Sequence, residues 1–86
     1  MAKLQITRAS GDVSVHSITP LIEYCFEKEF KIGFHKAFRE EEKQSFIYWL
    51  SWKCLSLVED VKPFGEGFMA TLANVDVLGD DESPNL

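Results

Sequence analysis

Cys25, Cys54, His16 and His35 are the side chains from which this chain could assemble a nucleophile and a base, and residues 40–42 and 80–82 are its densest carboxylate runs. Thiol catalysis needs a cysteine and a histidine within hydrogen-bond reach, with a further group to orient the ring. Cys25 and His35 are ten residues apart on one predicted helix, about 15 Å along its axis. They cannot meet within it. Neither cysteine belongs to a CxxC or ligand-like cluster, and both fall among apolar neighbours on predicted helices, so they read as buried free thiols. His16 lacks the Cys or carboxylate company of a metal ligand. GxSxG, HExxH, a phosphate-cradling glycine loop and a dinucleotide fingerprint are absent from the sequence. The expectation is a protein without catalysis, cofactor or metal.

Composition narrows the partners. Eighty-six residues are enough for one modest core, and 45% hydrophobic content is too high for a wholly unfolded chain. Nine basic against fourteen acidic side chains leave a formal charge of -5, which opposes the phosphate attraction behind most nucleic-acid binding. No apolar run is long enough to span a membrane, and MAKLQIT has neither the charged nor the apolar part of a signal peptide. Neither nucleic acid nor membrane is expected, and the cytoplasm is the expected compartment.

The elements follow from period and punctuation. Residues 3–8 alternate, residues 13–17 can pair with them, and Ser10-Gly11-Asp12 supplies the turn. This predicts an N-terminal β-hairpin with Leu4, Ile6, Val13 and Val15 facing inward and His16 in solvent. Thr19-Pro20 opens a helix expected to run to about Arg39, Thr19 as N-cap and Pro20 at the first helical position. Ile22, Phe26, Phe30, Gly33 and Ala37 would form its inner stripe, flanked by Phe34 and Phe38. The wheel gathers Lys28, Lys31, His35 and Arg39 on the opposite side. That basic stripe reads either as solvated surface or as an electrostatic contact with an acidic region of a partner or of a second copy.

Residues 40–42 suit a helix N-terminus, so a break near residues 39–43 is favoured over one long bent helix. In the second helix Phe46, Ile47, Leu50, Cys54, Leu57 and Val58 make an inward stripe. Tyr48, Trp52 and Leu55 point the other way, with Trp49 on the shoulder. VKPFG ends that helix, Phe68, Met69 and Leu72 fit a short third one, and Val75-Asp76-Val77 a short extended end. The expected fold is therefore mainly α (α+β): the hairpin on two long antiparallel helices plus a short third, one domain over residues 1–78, and a flexible acidic tail over residues 79–86.

A helix apolar on two sides is either central in its domain or carries an exposed binding face. On the first alternative every ring is core. On the second Phe34, Phe38, Tyr48, Trp49 and Trp52 form a partner surface, Trp and Tyr being favoured anchors.

The order of ITP before a helix, FEKEFKIGFHKAFRE, the FIYWLSW helix, VKPFGEGFMATLANVDVL and a short acidic tail resembles the tail assembly chaperones of long-tailed, siphovirus-type bacteriophages. The likeness covers residues 18–78 most clearly. It implies a protein of tail morphogenesis, working in the host cytoplasm and missing from the mature virion. Its partners would be the tape measure protein, kept soluble, and tail tube subunits, recruited to it. A longer form made by ribosomal frameshifting near the end of the frame is also implied, and self-association stays open beside it. Two other classes remain: a small structural virion protein of the head-tail completion type, and an acidic inhibitor of a host factor.

Overall fold

A computed structural model describes residues 2–41 and 43–79. Strand β1 (Lys3–Arg8) and strand β2 (Val13–Ser17) form the N-terminal hairpin. Gly11, at φ 100°, donates its N–H to the Arg8 carbonyl at 2.8 Å, and the Arg8 N–H reaches the Asp12 carbonyl at 2.8 Å. A third strand, β3 (Leu72–Leu78), returns antiparallel to the other edge of β1, giving the order β2-β1-β3.

Register decides which hairpin residues face the core. Leu4 stands opposite His16 and Val77, and Ile6 opposite Ser14 and Val75, so these six share the helix side of the sheet. Leu4 and Ile6 are buried, while Val13 and Val15 are 57% and 51% exposed on the other side, beside Thr7 and Gln5. The expected inward valines and outward His16 are both reversed. A one-residue change of register moves a whole strand to its other face, and the turn after Arg8 sets this one. Ser14 and His16 satisfy each other instead, Oγ to Nε2 at 2.8 Å.

The two long antiparallel helices are not found either. Helix α1 (Pro20–Phe30) starts as its sequence predicts, the Ile22 N–H donating to the Thr19 hydroxyl, but stops eight residues before Phe38. Lys31 adopts the left-handed conformation at φ 58°, its N–H closing on the Glu27 carbonyl. Ile32 and Gly33 are poor continuers of a helix, Gly costing about 1 kcal/mol relative to Ala. A short helix α2 (Phe34–Lys36) then begins, its first N–H held at 2.8 Å by the Glu27 carboxylate, and widens into a π turn over Ala37–Glu41.

Helix α3 (Gln44–Ser56) packs on both α1 and β3, which explains its apolar surface on more than one side. Trp49 and Leu55 are buried with Phe46, Leu50 and Cys54, whereas Leu57 and Val58, assigned inward by the wheel, are exposed because the helix ends before them. The short third helix is only α4 (Glu66–Met69), and Leu72, expected on it, opens β3. The fold is thus a three-stranded antiparallel sheet with helices against it, in place of a hairpin preface to a helical pair. Apart from Gly79, the expected tail lies outside the described residues.

Phe26 organises the core. It is fully buried, with ring centroids of Phe30, Phe34, Phe38, Phe46 and Trp49 between 4.7 and 6.0 Å away. Edge-to-face and tilted packing of this kind adds to the area each ring buries.

Candidate functional site

Two apolar depressions flank this ring cluster. The larger, an open groove of about 730 Å³, runs between the end of α1, the outer side of α3 and the loop after it. Its floor is Phe30, Trp49, Trp52 and Phe64. These rings form a continuous series, Phe30 to Trp49 at 5.5 Å, Trp49 to Trp52 at 5.9 Å and Trp52 to Phe64 at 6.1 Å. Trp52 is fixed by its indole N–H, which donates to the Lys62 carbonyl at 3.0 Å. The loop carrying Phe64 is therefore hung on the same ring that it helps to enclose. Lys28, Lys31 and Lys53 stand around the rim, with Glu29 as the acid among the lining residues. The Lys28 Nζ lies 5.9 Å from the Tyr24 ring centre and the Lys53 Nζ 5.8 Å from that of Trp52.

The smaller cleft, about 300 Å³, opens between the sheet and the helices, walled by Leu4, Val77, Phe34, Phe38, Ile47 and Leu50. Glu23 and His35 line it as well. The two depressions divide the residues that the sequence grouped together. Trp49 and Trp52 belong to the groove, although Trp49 is only 6% exposed, while Phe34 and Phe38 belong to the cleft. Tyr48 lines neither and accepts a hydrogen bond from Gln44 Nε2 at 3.3 Å.

The basic stripe is divided as well, because the turn at Lys31 breaks the helix that would have aligned it. Lys28 and Lys31 reach the groove, His35 the cleft, and Arg39 pairs with Glu40 at 3.7 Å on the surface. Sequence reasoning missed Lys53 and Phe64. Phe64, 39% exposed, had a visible signal: a large apolar residue in the loop sequence Pro63-Phe64-Gly65 has no helix or strand of its own to bury it.

Little here suits bond chemistry. Both cysteines are free, and burial pushes the Cys54 thiol up to about 11, the opposite of an activated nucleophile. Ser14 and His16 touch, but Glu59, the carboxylate acting on His16, is held by a bidentate pair to Arg8 at 2.9 and 3.2 Å. His16 is kept below its usual range by burial and by the Arg8 charge, with Glu59 opposing. Among the described residues no group of three or more His, Cys, Asp or Glu could hold a metal ion, and no helix is long and apolar enough to cross a membrane.

Comparison with protein-family models, curated proteins and solved structures gives no match to this chain.

Proposed function

We propose that this protein is a tail assembly chaperone of a long-tailed bacteriophage, which binds the tape measure protein without catalysis, keeps it soluble and helps recruit tail tube subunits. The reading rests on the order of sequence features described above, and the observation that supports it best is the ring-floored groove. A tape measure is a long helical chain with apolar seams, and a helix lays such a seam into an apolar groove. Trp52 and Phe64 supply stiff, accessible ring area for that purpose, with Trp49 buried behind them. Many copies along one client would act by avidity, so each groove could bind weakly. The protein would work in the host cytoplasm and be missing from finished particles. In a frameshifted longer form the acidic run after Gly79 would serve as the linker to the extension.

Co-expression with the tape measure protein tests this. Trp52→Ala and, separately, Phe64→Ala should remain folded by circular dichroism and leave the client in the pellet. A folded Trp52→Ala protein that holds the client as well as the parent would remove the groove from the proposal. Mass spectrometry of purified virions addresses the class itself. Stoichiometric recovery of this chain from particles would point to a structural virion protein.

A further inference from the structure

We infer that the groove selects an acidic amphipathic helix, a client segment with large apolar side chains on one face and Asp or Glu flanking them. This deepens the client-binding reading and rests on it.

Charge is the first observation. The whole chain carries -5, yet three of the groove's four charged lining residues are lysines. None of the three forms an ion pair among the described residues. Such a rim complements carboxylates and opposes another basic surface, which gives selectivity and a faster encounter. Fixed aromatic rings between the lysines leave the apolar share of recognition to the floor.

Backbone conformation is the second. Lys31 sits at φ 58°, ψ 35°, a position where a helix ends most easily on Gly and sometimes on Asn. A β-carbon there is unfavourable. The residue that bears this cost is also one of the cations lining the groove. Strain kept at a lining position is a pointer to use. Tilted rings beside lysines also occur where single-stranded nucleic acid binds, but the -5 charge of the chain opposes a strand with a phosphate at every nucleotide more than a helix bearing a few carboxylates.

The two tryptophans of the chain both line the groove, so intrinsic fluorescence reports its occupancy directly. The full chain is titrated with two Trp-free synthetic peptides of about 18 residues, about 27 Å as helices. They share a Leu/Phe face and differ only in Glu or Lys flanks. The Glu-flanked peptide should bind at least about tenfold more tightly at low salt, with the gap shrinking at high salt. The double variant Lys28→Glu/Lys53→Glu should reverse the preference. Lys31→Gly should raise Tm by a few degrees while weakening the Glu-flanked peptide. Equal binding of the peptides, preference for the Lys-flanked one, binding of neither, or tighter binding of an oligo(dT) probe would each overturn the inference. If the peptides bind equally but Trp52→Ala still loses the tape measure in co-expression, the client site stands and only its acidic preference falls. If Trp52→Ala also keeps the client soluble, both fall.

Discussion

Phe26 meets rings from α1, α2, the π turn and α3, so one side chain stands at the centre of the contacts among these segments. Phe26→Ala should cost about 3 to 5 kcal/mol, read as a lower urea midpoint. For a domain of this size that is a large part of a typical total. The two thiols offer a second check at this scale. Cys54, buried and with its ionisation pushed up to about 11, should resist a thiol reagent until the protein unfolds. Half-buried Cys25, which lines the groove, should react in the native state and more slowly once a peptide occupies it. On the acid side, among the described residues, His16 and Glu59 are held below their ordinary values. His16 is held below its ordinary 6.5, so the unfolded chain takes up its proton first as pH falls. The neutral ring's contribution is therefore present above pH 6.5 and lost below it, through the lowered folded value. Glu59, lowered chiefly by its hydrogen bond from Arg8, gives stability present above its ordinary 4.5 and lost as pH falls further. Urea melts from pH 7 to 3 should show two successive declines, His16→Gln removing the first and Glu59→Gln the second. A Glu59→Gln protein that keeps the lower decline would remove the Arg8 pair as its source.

At the scale of elements the decisive event is the interruption after Phe30. Glu27 acts twice in it, its carbonyl receiving the Lys31 N–H and its carboxylate the Phe34 N–H. Glu27→Ala should cost about 1 kcal/mol, the usual size of a lost N-terminal cap, with Glu27→Gln retaining part of it. The start of α1 was legible because Thr19-Pro20 is a local signal, and the second helix because its acidic approach and ring pattern are local too. The interruption was not, since it depends on a side chain reaching seven residues ahead. Strand β3 was legible only as a short extended end over residues 75–77, and its full length and pairing were missed for a related reason. LANVDVL does not alternate cleanly, and its pairing partner lies at the other end of the chain. The hairpin itself was readable but its faces were not, because residue types in β2 favour valines inside while register places Ser14 and His16 there. The consequence for the site is direct. A continuous helix would have put Phe34 and Phe38 beside the tryptophans, and the turn moves them to a different depression.

For the molecule as a whole, the sheet, the ring cluster and the groove form one mechanical series. Trp52 holds the loop at Lys62, Phe64 in that loop packs at 6.3 Å on buried Phe68 of α4, and α4 leads into β3. Replacing Trp52 by Phe keeps a ring in the floor but removes the bond to Lys62. It should therefore raise hydrogen exchange in the loop between α3 and α4, with the amides of β1 and β2 unchanged. Of the candidate site, the tryptophans and two rim lysines could be named from sequence because the tryptophans and Lys28 lie on helices with readable periods and Lys31 follows directly on the end of α1. Lys53 and Phe64 could not be joined to them without knowing how the loop folds back.

The placement of β1 between β2 and β3 also fixes an order of events during synthesis. The central strand leaves the ribosome before either neighbour, and its second neighbour is made more than sixty residues later. Until Leu78 emerges, β1 carries one open edge, the kind of surface that pairs with other chains. The central strand of such a sheet gains its second neighbour only when β3 has been made, and the open edges that remain are those of β2 and β3.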